Sequence, residues 1–181
     1  MVTESKAGGP RIRLRAVVAA DHAAVFAGLS DPQVIAHYGI SYDTYESCQV
    51  QMDWYDSLVR DGTGEWLVVE RRGDGRFLGC IGYNDRDAVH RRAEIGYWLL
   101  PEFWRQGYAT EALRTFTAHV FATTDLHRLR AEVEEPNRAS WALLERCGFT
   151  HEGTARDCEV KDGAFLSLRI YSRLATDPRP Q

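Results

Sequence analysis

Residues 11–17 read Arg-Ile-Arg-Leu-Arg-Ala-Val, the two-residue alternation of a half-buried strand. Asp21 is placed to cap a short helix carrying Ala24, Val25, Ala27 and Leu29, and Asp31-Pro32 opens a further helical turn. Residues 41–45 are loop-like. Residues 46–60 have helical spacing, with Val50, Trp54, Leu58 and Val59 as the packing face. Residues 65–70, with Trp66, Leu67, Val68 and Val69, predict a strand, Gly73-Asp74-Gly75 a reversal, and residues 76–83 the returning strand of a hairpin. After a polar connection at 84–90, residues 93–100 form a third strand, stopped by Pro101. Ala109, Ala112, Leu113, Phe116 and Val120 recur at helical spacing and predict a helix over 108–122 packed on a sheet. Residues 128–133 predict a strand, and residues 137–147 a helix with Asn137 as N-cap and Gly148 as its stop. Residues 150–156 and 165–173 close the chain as two strands around Lys161-Asp162-Gly163.

This order predicts an α+β fold: a central mixed, mostly antiparallel sheet with helices on both faces. A length of 181 residues allows one domain, assigned to 11–174, with residues 1–10 and 175–181 as flexible ends. A 44% hydrophobic share is enough to bury a core without disulfides or metals. The net charge of -4 gives no general attraction to nucleic acid, and Arg11, Arg13 and Arg15 read as a solvated strand face. Cys48, Cys80, Cys147 and Cys158 form no CxxC pair, so they read as free thiols rather than a metal site, with Cys147 as a small core residue. With no signal peptide and no apolar run of membrane-spanning length, the expectation is a cytoplasmic protein without a membrane partner. Its aromatic residues are compatible with a homodimer contact or with ordinary core packing.

The stretch 93–110, Ala-Glu-Ile-Gly-Tyr-Trp-Leu-Leu-Pro-Glu-Phe-Trp-Arg-Gln-Gly-Tyr-Ala-Thr, carries the candidate chemistry. A strand runs through a short loop, Arg105-Gln106-Gly107, into a helix start at Tyr108, Ala109 and Thr110. Unpaired N–H groups and the helix dipole favour an anion there, Gly107 permits close backbone approach, and Arg105 adds a charged donor. Neither the G-x-G-x-x-G fingerprint nor a P-loop Gly-Lys-Ser/Thr is present, which argues against a nucleotide-binding switch.

Gly107 and Ala109 fit the last two fixed positions of Q/R-x-x-G-x-G/A, the pyrophosphate loop of the GNAT superfamily of N-acetyltransferases, which the chain resembles. Trp104 occupies the first fixed position. The likeness is closest to the ribosomal-protein N-acetyltransferase-like (RimJ/RimL-like) branch. It rests on residues 93–99, on 104–112, and on Leu126-His127-Arg128-Leu129, Asn137-Arg138-Ala139-Ser140 and Gly148-Phe149-Thr150-His151-Glu152-Gly153. The resemblance implies acetyl transfer from acetyl-CoA to a primary amine, with no metal and no covalent enzyme intermediate. The acceptor is a protein N-terminal α-amine, or else a small amine such as an antibiotic or polyamine. A non-catalytic acyl-CoA-binding module is the reading from another class.

The resemblance further implies that backbone groups of Trp98, Leu99 and Leu100 pair with the pantetheine arm, between strands 93–100 and 128–133. An N–H of Leu99 or Leu100 would then polarise the thioester carbonyl. Gln106 joins Arg105 at the diphosphate. Asn137 serves as N-cap or as a pantetheine contact, and Ser140, one turn on, faces the leaving thiolate or solvent. Many relatives have a Tyr where Leu144 stands, so Ser140 or a water takes over as acid, with Tyr171 a weaker option. Glu94, a carboxylate in an apolar strand on the same face as Gly96 and Trp98, is the candidate base or the partner of a nearby arginine. Tyr38, Tyr42, Tyr45 and Trp54, with Asp43, Glu46 and Asp53, wall an acceptor pocket or pack the early helices.

Overall fold

The computed structural model describes residues 10–178 and residue 180; of the ends expected to be flexible, 1–10 and 175–181, residues 1–9, 179 and 181 lie outside the described residues. Seven strands form one sheet: β1 (Ile12–Ala16), β2 (Glu65–Arg71), β3 (Phe77–Asp87), β4 (Arg92–Leu99), β5 (Arg128–Glu134), β6 (Thr150–Lys161) and β7 (Ala164–Leu174). Their spatial order is β1-β2-β3-β4-β5-β7-β6. All neighbouring pairs are antiparallel except β4–β5, which is parallel. This is the mixed sheet expected from the element order.

The helices are α1 (His22–Leu29), α2 (Pro32–Ile35), α3 (Gln49–Asp61), α4 (Tyr108–Thr123) and α5 (Arg138–Arg146). They cover both faces. Val25, Leu29, Met52, Tyr55 and Leu58 of α1 and α3 pack with Trp66 and Trp98 on one face. Leu113, Phe116, Val120 and Leu144 of α4 and α5 pack with Ile95, Leu129 and Tyr171 on the other. Glycines admit the large rings: a Cβ on Gly82 would lie 2.2 Å from the Trp66 ring, and one on Gly28 would lie 2.1 Å from the Trp98 ring.

Several sequence expectations are corrected. Leu58 and Trp54 of α3 pack as expected, but Val50 and Val59 are 64% and 63% exposed, and Gln51, Met52 and Tyr55 are buried in their place. A polar residue takes the core position because the Tyr42 hydroxyl donates to Gln51 Oε1 at 3.0 Å. Asp21 does not cap α1. It accepts from the Val18 amide at 2.9 Å and pairs with Arg15 at 2.7 Å. The arginines of β1 are not a purely solvated row, because Arg13 and Arg15 clamp the buried Glu70 at 2.6 Å each. β3 continues to Asp87 through the polar stretch expected as a connection, since β4 supplies partners for Asn84 and Asp87. Asn137 caps α5 as expected, accepting from the Ser140 amide at 3.2 Å. Cys147 is buried at the end of that helix, in the core. No helix among the described residues is long and apolar enough to cross a membrane.

Candidate active site

Parallel pairing of β4 with β5 covers Arg92↔Arg128, Ala93↔Leu129 and Glu94↔Arg130, and then stops. Beyond that point the two strands part, each held only by its outer neighbour: β4 by β3 and β5 by β7. Alternation along an antiparallel ladder fixes which backbone groups face the gap. The Leu100 amide donates to the Leu78 carbonyl at 2.8 Å, so Leu100 and, two residues back, Trp98 direct their main chain to β3. The intervening residues, Ile95, Tyr97 and Leu99, direct theirs to the gap. The expectation for this strand is therefore corrected: Leu99 can offer its N–H to a substrate in the gap, whereas Trp98 and Leu100 cannot. The Trp98 side chain is also buried, on the α1–α3 face.

The loop after β4 delivers the chain to α4. Arg105 and Gly107 both have left-handed backbones, with φ of 59° and 83°. Gly107 is the N-cap and has no side chain to bond the helix start. The first backbone bond of α4 runs from the Glu111 amide to the Gly107 carbonyl, so the N–H groups of Tyr108, Ala109 and Thr110 precede the intrahelical ladder. Three donors at the positive end of a long helix suit a diphosphate. Glu111 in that first turn would oppose an anion, but Arg11 and Ile12 neutralise it. The Arg11 amide and Nε bond its carboxylate at 2.6 and 2.9 Å, and the Ile12 amide at 3.2 Å. Arg11 also donates to the Gln106 carbonyl at 3.0 Å and covers the Tyr108 ring, a clasp that sequence inspection missed.

The loop residues divide by role. Arg105 is exposed, with no hydrogen bond or ion pair to another described residue, and is available to a ligand. The Gln106 side chain is committed to the Glu102 carbonyl at 2.7 Å, and the Tyr108 ring is buried, which leaves their main chains to contribute. Trp104 stands where the GNAT loop has Gln or Arg. Its indole N–H donates to the Leu99 carbonyl at 2.7 Å, tying the end of β4 to the loop.

Glu94 lies at the fork. It is half-buried and makes no hydrogen bond or ion pair with another described residue. Arg130, its neighbour across the ladder, pairs with Glu132 instead. Burial raises the Glu94 pKa above its usual value; the Arg130 charge opposes this and Asp85 adds to it. Its side chain points to the α1–α3 face, opposite the α4–α5 core that takes Ala93 and Ile95.

Ser140 lies on the other face. Its Oγ is 2.8 Å from the Tyr97 hydroxyl, and that hydroxyl also reaches the Ser140 carbonyl at 3.4 Å. Burial raises the Tyr97 pKa well above the usual phenol value. Tyr97 was not singled out in the sequence, where attention to Glu94, Gly96 and Trp98 followed the opposite face of β4. Asn137 Oδ1 is engaged by the helix cap, which leaves its amide group for a ligand. Leu144 is fully buried core. Tyr171 is fully buried as well. Its hydroxyl donates to Glu145 at 2.8 Å, and burial, with Glu145, pushes its pKa up to about 12. Of the early aromatics, Trp54 and Tyr55 pack on Trp66, and Tyr45 stacks on His22 at 3.9 Å. Among the described residues, no three His, Cys, Asp or Glu side chains are grouped to hold a metal.

The gap between β4 and β5 leaves main-chain groups unpaired and the α4 start leaves three N–H donors, an arrangement suited to a ligand with an extended polar arm and an anionic group. The chain belongs to the GNAT acetyltransferase family, whose model, "Acetyltransferase (GNAT) domain", matches residues 11–150. It is 32% identical over 163 residues to the uncharacterized N-acetyltransferase YoaA of Bacillus subtilis, covering 90% of this chain and 92% of that one. It is 29% identical over 103 residues to the ribosomal-protein-serine acetyltransferase of Escherichia coli, 56% of each chain. Among solved structures, spermidine N-acetyltransferase from Vibrio cholerae, in complex with CoA and spermine, superposes with a TM-score of 0.84 at 19% identity, over 93% of this chain and 98% of that one. The protein is an acetyl-CoA-dependent N-acetyltransferase.

Proposed function

We propose that this enzyme acetylates a single primary amine, foremost a protein N-terminal α-amine, delivered from the α1–α3 face of the sheet. The carrying observation is that β4 and β5 part immediately after Glu94, which makes no ion pair with another described residue and would stand at the mouth of a gap taken by the thioester arm. On the neighbouring strand, Glu132 pairs with Arg130, and Glu134 pairs with Lys161 at 2.5 Å and lies 2.7 Å from His37. An α-amine, with a pKa of about 8 against about 10 for lysine, loses its proton more readily.

In this reading acetyl-CoA lies with its diphosphate on the N–H groups of Tyr108, Ala109 and Thr110, flanked by Arg105, and its arm in the gap. Glu94 takes the amine proton through intervening water. The amine nitrogen attacks the thioester carbon as the C–N bond forms. The Leu99 N–H faces the developing oxyanion. The C–S bond then breaks with its electron pair on sulfur, beside Ser140 Oγ, and the second proton of the amine nitrogen passes to the departing thiolate through water.

The test is a panel of N-terminal peptides, lysine derivatives, spermidine and aminoglycosides, monitored by release of free CoA thiol. Turnover is expected on peptides with a free N-terminus. Preferential turnover of spermidine would replace the acceptor reading. Tight acetyl-CoA binding without turnover of any amine would favour a non-catalytic acyl-CoA-binding module.

A further inference from the structure

We infer that Tyr97 is a positioning residue for the leaving-group step, acting through Ser140. The inference rests on the proposed reading of Ser140 as the hydroxyl that faces the departing sulfur. Tyr97 and Ser140 come from opposite sides of the gap: β4 carries one, and the first turn of α5, which follows β5, carries the other. Their hydroxyls are 2.8 Å apart, and Tyr97 also lies within 3.4 Å of the Ser140 carbonyl.

A serine hydroxyl rotates freely and has competing acceptors in a helix first turn, including backbone carbonyls. A second hydroxyl fixed by a strand removes that freedom. When Tyr97 donates to Ser140 Oγ, the Ser140 proton must point elsewhere, and the gap is where the sulfur would be. Burial keeps the Tyr97 phenol protonated over the working pH range, so it remains a donor. No proton leaves Tyr97. As the C–S bond breaks, Ser140 donates a hydrogen bond to sulfur and Tyr97 donates one to Ser140.

A double-mutant cycle tests this with Tyr97→Phe, Ser140→Ala and the double variant, measuring kcat, KM and CoA affinity. Tyr97→Phe keeps the ring and is expected to lower kcat about tenfold, with CoA affinity held within about twofold. In the Ser140→Ala background the same change is expected to do nothing, because there is no hydroxyl left to orient. A merely structural role would give the same loss in both backgrounds, and that additivity would overturn the inference. So would a Tyr97→Phe enzyme as fast as wild type beside a slow Ser140→Ala. An unimpaired Ser140→Ala would remove the reading of Ser140 itself and the inference with it. If Tyr97→Phe does not fold, Tyr97→3-fluorotyrosine changes the acidity of the phenol and preserves its shape. Its kcat is then expected to change in the Ser140 enzyme and not in Ser140→Ala, and an equal change in both overturns the proposal.

Discussion

Glu94 and Tyr97, three positions apart on β4, send their side chains to opposite faces of the sheet, Glu94 towards α1–α3 and Tyr97 to the Ser140 hydroxyl on the α5 side. At about 3.3 Å per residue they are separated by about 10 Å along the strand. The gap between β4 and β5 opens in that interval. In the proposed mechanism, proton removal from the amine and stabilisation of the leaving sulfur therefore fall on different faces, so the acceptor and the donor need not compete for one entrance.

Glu94→Gln is predicted to lower kcat by about 10²–10⁴, the usual worth of a general base, with acetyl-CoA affinity preserved. Only the carboxylate form can accept a proton, so activity falls as pH drops through the Glu94 pKa. Burial raises that pKa, so the acid limb lies above the ordinary 4.5 and disappears in the Gln variant. The stability sign is opposite. A carboxyl group whose folded pKa is raised favours the fold in its neutral form, and this contribution is lost as pH rises through the folded pKa. Glu94→Gln is therefore expected to melt at a higher temperature than wild type at neutral pH. A pH–rate profile and a melting curve check both, and a rate equal to wild type removes Glu94 as base.

Gly107→Ala tests the diphosphate cradle. Its φ of 83° disfavours any side chain, and the added Cβ would sit 3.2 Å from the Arg11 guanidinium that holds this loop. Backbone strain of this kind costs about 1–3 kcal/mol. Part of the effect should appear as a CoA dissociation constant raised about tenfold, equivalent to about 1.4 kcal/mol. Calorimetry with CoA reads this directly. Unchanged CoA affinity would mean that the α4 start does not hold the diphosphate.

Much of this arrangement was legible in the sequence, because local signals and tertiary demands agreed there. The alternation at 93–99 and the 108–122 periodicity placed the strand, the loop and the helix start within a residue or two of their observed positions. Glu94 stood out because a charge interrupts an apolar strand. Tyr97 did not, because an aromatic residue in a strand is what a core requires anyway, and only the arrival of Ser140 from α5 gives its hydroxyl a partner. The main-chain roles of Trp98, Leu99 and Leu100 depend on ladder phase, which the Leu100–Leu78 bond sets and which composition does not encode. Arg11 lies ninety-five positions from the Gln106 carbonyl it binds, a contact created by the docking of α4 beside β1. Gln51 took a core place expected for Val50 because Tyr42 satisfies its amide oxygen.

Trp104→Phe isolates the tie between the end of β4 and the cofactor loop. The change keeps an aromatic ring and removes the 2.7 Å bond to the Leu99 carbonyl, a loss of about 1 kcal/mol. That carbonyl belongs to the residue whose N–H faces the gap. Loosening it should therefore raise KM for acetyl-CoA about two- to fivefold with a smaller effect on kcat, the pattern of lost ground-state binding. Steady-state kinetics at saturating acceptor decide the point. A fall in kcat at constant KM would instead place the tie in the chemical step.

Gly82→Ala tests whether the ring stack beneath the acceptor face depends on bare backbone. Trp66 spans Gly82 and Gly96, with would-be Cβ contacts of 2.2 and 2.9 Å, and a Cβ on Gly82 would also meet the Glu65 carbonyl at 2.5 Å. Neither the buried ring nor the strand carbonyl has room to retreat, because Trp66 is packed against Trp54 and Tyr55 at 5.9 and 5.6 Å between ring centres. Overpacking of this kind costs about 1–3 kcal/mol, and for a domain of this size each kcal/mol lowers Tm by about 2–4 °C. Gly73→Ala is the matched control. It lies in the β2–β3 turn with nothing within 4 Å of the added methyl, and its Tm should stay close to wild type. Equal melting of the two variants would show that the Trp66 ring can shift at little cost. In that case the close approach over Gly82 would not be what fixes the ring on the sheet.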